Sequence, residues 1–150
     1  MKHLSIHKRF YLFLLCLAFS SITAFSQKGL NIDNAFQKYG HSKGCKMVEL
    51  HNTLLNGYKL KLYKSLEFKD KQINIETYLK ADRKNAVKIR EVVQDGQTTS
   101  GYYMMQQTSN GINRYILFNY KSSRKGTLIY IEGALSPDDI IQLCYTKKKH

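Results

Sequence analysis

Residues 41–51 include four side chains of the kinds that bind a metal ion or take part in thiol catalysis: His41, Cys45, Glu49 and His51. A zinc site needs ligands that converge on one point, and a nucleophilic cysteine needs a base that favours its thiolate. The spacing His-x3-Cys-x5-His is not an established ligand pattern. We therefore predict surface histidines beside a core cysteine, with no metal and no cofactor.

Two cysteines lie beyond residue 26, Cys45 and Cys144. An exported chain with an even number of cysteines can join them in a disulfide. Apolar neighbours equally suit two core thiols, and the two alternatives stay open. The chain contains no Cys-x-x-Cys pair, no Gly-x-Ser-x-Gly sequence and no glycine-rich phosphate loop. A protein without catalytic activity is favoured, and a thiol-dependent hydrolase or redox enzyme that uses Cys45 or Cys144 is the alternative.

Basic and tyrosine side chains in predicted strands and their flanks are the candidates for binding. They are Lys59, Lys61, Lys88, Arg90, Tyr102, Tyr103 and Arg114. Neighbours in a strand face opposite sides, so Tyr103 shares a side with Met105, and Tyr102 with Met104. One tyrosine of the pair thus lies away from the core, where it suits a glycan or a protein partner. A face covered by a second copy of the chain, in a structural homo-oligomer, is the alternative.

Residues 1–26 have the order of a secretory signal peptide. Basic residues precede the apolar run 10–19, and small residues follow at Ala24 and Ser26. The run is far shorter than the roughly 20 apolar residues that a membrane span requires. We expect cleavage before Gln27 and an exported product, periplasmic, surface-associated or secreted, with no transmembrane span.

Residues 27–150 are long enough for a single domain with a core of its own. The full chain has 24 Lys and Arg against 11 Asp and Glu, and three of the basic residues precede residue 27, which leaves a net charge of +10. A basic surface attracts anionic polymers and lipids whatever the fold. Outside the cytoplasm, lipopolysaccharide, acidic glycans and anionic membrane are better candidate partners than nucleic acid.

Helical patterns occupy both ends of this domain. A first helix is predicted from Asn31, as its cap, to Gly40, and a last helix begins at Ser136 and Pro137. A cap, a proline at the first helical position and carboxylates in the first turn are typical of a helix start.

The middle of the chain is less regular. A strand is predicted at 46–50, and a helix over 73–86 with Asn74 as its cap. Residues 54–68 keep both helical and strand spacing, and we assign a helix that begins near Gly57, followed by a strand at 65–68.

The last third of the chain reads as strands. They are predicted at 88–94, 100–107, 112–120 and 127–132, and Asp-Gly and Asn-Gly turns separate the first three. The fold class that follows is a two-layer α+β domain. It has a mostly antiparallel sheet, a C-terminal four-strand meander and helices packed on one face.

Several segments resemble a family of small exported proteins of Bacteroidota that is catalogued as a domain of unknown function. They are FQKYGHSKGCKMVEL, YKSLEF, INRYILF and GTLIYIEGALSPDDI, and the similarity covers roughly residues 29–146. The resemblance implies a compact α+β domain behind a signal peptide, and it transfers no catalytic residue. We therefore predict an exported envelope protein that binds a protein or an anionic envelope component.

Overall fold

Six strands and three helices are present in the part of the chain that the structure describes. The structure is a computed structural model that describes residues 29–69, 73–122 and 125–145, with the backbone alone for residues 144 and 145. The predicted signal segment lies outside these ranges. The helices are α1 (Asn31–Tyr39), α2 (Glu76–Arg83) and α3 (Pro137–Tyr145). The strands are β1 (Cys45–Leu55), β2 (Tyr58–Phe68), β3 (Lys88–Gln94), β4 (Gln97–Met105), β5 (Asn113–Ser122) and β6 (Lys125–Gly133).

The strands form one sheet in the order β1-β2-β6-β5-β4-β3, and every neighbouring pair is antiparallel. Strands β3 to β6 pair in chain order, whereas the pairing of β2 with β6 joins segments that are far apart in sequence. Asp95 and Gly96, between β3 and β4, both have positive φ angles of 51° and 74°. This is the geometry of a two-residue hairpin turn. The predicted α+β class and the antiparallel sheet are confirmed.

A helix was predicted from about Gly57 to residue 64, but Gly57 lies in a turn and residues 58–64 lie in strand β2, so that prediction was wrong. Asn56 and Gly57 have φ angles of 49° and 85° and turn the chain directly from β1 into β2. Asn-Gly is a strong hairpin signal that the helical spacing obscured. Pairing with β1 on one side and β6 on the other satisfies the backbone of β2 and buries Leu60 and Leu66.

Buried side chains form two clusters, one on each face of the sheet. On the first face, α1 and α2 pack on the sheet through side chains that include Phe36 and Leu79. On the second face, Ile140 of α3 packs on the sheet. The helices therefore cover both faces, whereas the sequence favoured one face. Four consecutive residues of β5, 115–118, are all buried, and successive strand residues face opposite sides, so both faces need a cover.

A buried carboxylate from α2 caps α1. Asp82 is 2% exposed and accepts hydrogen bonds from the backbone N–H groups of Asn31 (2.8 Å) and Ile32 (2.9 Å). Leu30, rather than the predicted Asn31, occupies the cap position and makes no side-chain hydrogen bond. The first amides of a helix have no partner within it, so a distant residue here replaces a local cap.

Side chains close in sequence cap the other two helices. The carboxamide oxygen of Asn74 accepts a hydrogen bond from the backbone N–H of Glu76 (3.1 Å), and α2 is shorter than the predicted helix over 73–86. At α3, the backbone N–H of Ser136 donates to Asp139 (2.8 Å), and the backbone N–H of Asp139 donates to the Ser136 hydroxyl (3.2 Å). This reciprocal pair confirms the predicted start of the last helix.

Candidate functional site

A groove of about 420 Å³ lies on the second face of the sheet, beside α3. Alternation along each strand places side chains from all six described strands on this face. The side chains that form the apolar floor are Tyr63, Val92, Tyr102, Leu117, Ile129 and Ile131. The volume falls within the roughly 300–1,000 Å³ that is usual for small-molecule sites.

Helix α3 forms one wall of the groove through Ile141 and Leu143. The buried hydroxyl of Tyr115 donates a hydrogen bond to the backbone carbonyl of Leu135 (2.7 Å), just before the helix. Together with the complete burial of Ile140, this bond holds the start of α3 against the sheet. The helix wall is therefore fixed by packing and by one buried hydrogen bond.

The hydroxyl of Tyr102 is a buried polar group with no hydrogen-bond partner among the described residues. The side chain is 6% exposed and lines the groove. An unpaired buried hydroxyl costs roughly 1–3 kcal/mol, so a water or a bound molecule that paired with it would stabilise the site. Arg90 lies directly opposite Tyr102 in the pairing of β3 with β4, and it is exposed at the rim of the groove.

The buried hydroxyl of Tyr115 on the second face is a hydrogen-bond donor at neutral pH. Burial, and to a smaller degree the neighbouring Tyr102, raise the pKa of Tyr115 to about 12. The described residues that line the groove include no histidine, cysteine or carboxylate. These groups can bind and orient a molecule, and none of them is a base at neutral pH.

Three of the seven predicted binding residues lie on the groove face. Arg90 and Tyr102 line the groove, and Lys88 is exposed two residues along the same strand as Arg90. Lys59 and Lys61 are exposed near the start of β2 and are not among the described lining residues. The structure therefore brings together only part of the predicted set.

Tyr103, another predicted binding residue, lies buried on the first face. Its hydroxyl donates to the Oε1 atom of Glu91 (2.7 Å), and the Nε atom of Arg83 donates to the same oxygen (2.9 Å). Hydrogen bonds from Arg83 and then from Tyr103 hold the pKa of Glu91 below its ordinary value of 4.5, against the opposing effect of burial. Tyr103 thus ties β4 to β3 and is not available to a ligand in the groove.

Arg114, the last of the predicted set, lines a polar cavity of about 330 Å³ between α1 and the sheet. In this cavity the Nζ atom of Lys64 lies 3.9 Å from the Oδ1 atom of Asp33, and the Tyr130 hydroxyl donates to Glu132 (2.6 Å). Burial raises the pKa of Asp33, while Lys64 acts in the opposite direction. Opposite charges face one another here, which favours a structural ion cluster over a site for a free anion.

The residues considered for metal or thiol chemistry have separate surroundings. The Nε2 atom of His51 lies 2.8 Å from the Oε1 atom of Glu49 at the surface, and His41 is exposed in the turn after α1. Cys45 is half-buried against the first-face cluster. Within the described ranges, no group of three or more His, Cys, Asp or Glu is placed to hold a metal ion.

The predicted disulfide alternative involves Cys144, whose side chain lies outside the described residues. Cys45 packs on the first face of the sheet, whereas α3, which carries Cys144, packs its Ile140 on the second face.

Most of the residues that line the groove were not predicted from the sequence. Leu117 and Ile129 share the face of Tyr102, and alternation along β5 and β6 was the signal that could have identified them. Tyr63 was missed because its segment was assigned to a helix. It joins the groove only because β2 pairs with β6.

Comparison with known proteins identifies a family but no function. Residues 19–144 match the model of a family of unknown function (DUF6108). No curated protein and no solved structure matches the chain. In the described part of the chain, no helix has the length and apolar character needed to span a membrane.

Proposed function

The chain belongs to this family of unknown function, and from that premise we propose that it is an exported binding protein without catalytic activity. The groove on its second face binds an anionic component of the cell envelope. Arg90 binds the anionic group at the rim, and Lys88 adds to the attraction.

The observation that carries this proposal is the position of Arg90 at the rim of an apolar groove, opposite Tyr102, whose hydroxyl has no hydrogen-bond partner among the described residues. Small-molecule sites combine apolar walls with a few polar groups that set the orientation of the ligand. Arg90 provides a planar cation that can bind a carboxylate or a phosphate through two hydrogen bonds. The groove has both parts of such a site.

The N-terminal sequence supports export. A basic segment, an apolar run and small residues follow one another over residues 1–26, in the order of a cleavable signal peptide. The net charge of +10 over the rest of the chain suits contact with the anionic lipids and glycans of an envelope.

A second copy of the chain is the competing occupant of this face. Val48 and Leu50 are 36% and 41% exposed on edge strand β1, and Leu50 pairs with the groove residue Tyr63. Exposed apolar side chains on an edge strand favour self-association. Light scattering over a range of concentrations separates the two, since a monomer throughout excludes the oligomer.

The test uses the chain purified after export from cells that process its N-terminus. Binding is measured to lipopolysaccharide, an acidic glycan, anionic vesicles and neutral vesicles. The variant Lys88→Gln/Arg90→Gln removes two charges from the groove face, and the matched control Lys59→Gln/Lys61→Gln removes two exposed charges elsewhere. We expect the groove variant to lose about tenfold in affinity for an anionic component, and the control to lose little.

Salt dependence separates a shaped site from general attraction. Exposed charges are screened over about 8–10 Å at ordinary ionic strength, so attraction by net charge alone collapses as salt is added. We expect part of the affinity to persist at physiological salt. Equal losses in the two double variants, with binding abolished by salt, would contradict the proposal.

A further inference from the structure

The dimensions of the groove on the second face restrict its occupant to a small molecule. Its volume of about 420 Å³ suits a compact ligand, whereas protein interfaces are broad surfaces of about 800 Å² per partner. A long polyanion would need a row of cations, and Arg90 is the one charged side chain among the described lining residues. The ligand that fits therefore carries one charged group.

The floor and the helix wall favour an apolar chain. Leu117 and Ile129 on the floor and Ile141 on the wall expose hydrocarbon to the groove. Transfer of methylene groups from water onto such a surface is favourable in proportion to the area that is buried. A ligand without an apolar part would leave most of this surface in contact with water.

Two of the polar residues in the lining, Arg90 and Tyr102, favour an anionic head beside that chain. Arg90 and Tyr102 leave the sheet from directly opposed positions on β3 and β4, so their side chains start from neighbouring points on one face. Both groups donate hydrogen bonds, and the hydroxyl of Tyr102 has no partner within the described chain. The described lining includes no carboxylate that would repel an anion.

We propose that the groove binds an amphiphile with one apolar chain and one anionic head, a carboxylate or a phosphate. The chain lies on the floor between β2 and β3, along α3. The guanidinium of Arg90 binds the head, and the Tyr102 hydroxyl donates to one of its oxygens. This inference rests on the proposed function and names the class of ligand for the same site.

Calorimetric titration of the processed full-length product tests the ligand class. The probes are dodecanoate, lysophosphatidylglycerol, dodecanol and acetate. The first two distinguish a free acid from a lipid phosphate, and the last two lack the charge or the chain. We expect at least one of the two anionic amphiphiles to bind about tenfold more tightly than dodecanol, and acetate not to bind measurably.

Three variants assign the roles of the groove residues. Arg90→Gln should reduce the affinity for the anionic amphiphile about tenfold and leave dodecanol unchanged, while the control Lys61→Gln changes neither. Ser100→Phe places a ring in the groove and should abolish binding of both probes. Its fold is checked by circular dichroism, and the Arg90→Gln result stands independently if Ser100→Phe does not fold.

Tyr102→Phe and Tyr103→Phe form a second matched pair. Loss of the groove hydroxyl should reduce amphiphile affinity several-fold, and loss of the first-face hydroxyl should not change it. Because the Tyr102 hydroxyl has no hydrogen-bond partner to lose in the described chain, its variant should unfold at the same temperature as the parent or higher. Tyr103→Phe loses its bond to Glu91 and should unfold at a lower temperature.

Several outcomes would overturn the inference. Equal affinity for dodecanoate, lysophosphatidylglycerol and dodecanol would show that the groove does not recognise an anionic head. Binding that survives both Arg90→Gln and a folded Ser100→Phe would place the ligand elsewhere, and a dimer that Ser100→Phe dissociates would make a second copy the occupant. A last outcome separates this inference from the proposed function. If neither anionic amphiphile binds the parent protein, but lipopolysaccharide binds the parent and not Lys88→Gln/Arg90→Gln, the ligand class is wrong and the proposed function stands.

Discussion

The adjacent residues Tyr102 and Tyr103 lie on opposite faces of the sheet, and their hydroxyls have different surroundings. Tyr103 is buried on the first face, and its hydroxyl pairs with Glu91, which Arg83 also binds. Tyr102 is buried on the second face, and its hydroxyl has no partner in the described chain. The two side chains are almost equally buried, so what distinguishes them is the hydrogen bonding of their hydroxyls within the described chain.

At the residue scale, we predict that Glu91→Gln destabilises the fold in a pH-dependent manner. The pKa of Glu91 is lowered in the folded chain, so its carboxylate stabilises the fold above its ordinary pKa of 4.5. This contribution is lost as the pH falls through the lowered folded pKa. The variant should therefore have a lower free energy of unfolding than the parent at neutral pH, and the difference should shrink as the pH falls below the ordinary pKa of 4.5 and through the lowered folded pKa.

Urea denaturation at several pH values measures this effect. Glu76→Gln is the matched control because Glu76 is exposed and its pair with Lys80 is a surface pair within one helix. A difference between Glu91→Gln and the parent that stays constant with pH would show that its charge is not what stabilises the pair of strands.

At the scale of elements, the fold is held by contacts between segments that are distant in sequence. α2 caps α1 through Asp82, β6 lies between β2 and β5, and α3 covers the second face through Ile140. Each of these contacts fixes the position of an element whose own sequence specifies only its type. The groove exists because side chains of strands that extend from β2 across the sheet to β3 share one face with α3.

We predict that Asp82→Ala lowers the free energy of unfolding by roughly 2–4 kcal/mol. The variant leaves two backbone amides at the start of α1, those of Asn31 and Ile32, without their acceptor. Asp82→Asn keeps one acceptor oxygen and should lose about half as much. Thermal denaturation with Thr77→Ala, an exposed position of α2, as the control measures the effect. Equal stability of Asp82→Ala and that control would show that the cap contributes nothing.

At the scale of the whole molecule, the helices are divided unequally between the faces of the sheet. Of the helices in the described ranges, two cover the first face and one covers part of the second, which leaves the groove open beside it. The chain also has an excess of Lys and Arg over Asp and Glu of 13. A partly open apolar face on a strongly basic molecule is consistent with the binding role that we propose.

We predict that the product recovered after export begins at Gln27. Residues up to Ser26 have the small residues that a signal peptidase recognises, and the domain that follows retains every element of the sheet. Intact-mass spectrometry of the exported product measures the site. Replacement of Ala24 and Ser26 by larger residues should block the cleavage, and a mature chain of unchanged full length in the parent would contradict the prediction.

The sequence by itself determined the features that depend on neighbouring residues. It identified the Asp95-Gly96 turn, the start of α3 at Ser136, and the shared sides of Tyr102 with Met104 and of Tyr103 with Met105. Turn geometry, helix capping and strand alternation involve residues a few positions apart, so their physical causes are present in a short window of sequence.

Only the tertiary structure decided which faces meet and which residues share a site. Residues 57–64 satisfied both helical and strand spacing, and pairing with β6 selected the strand. The same pairing brought Tyr63 opposite Ile131, and the packing of Ile140 placed α3 on the second face. These outcomes depend on the burial of surfaces that are distant along the chain, and no local pattern records which distant surface is available to bury.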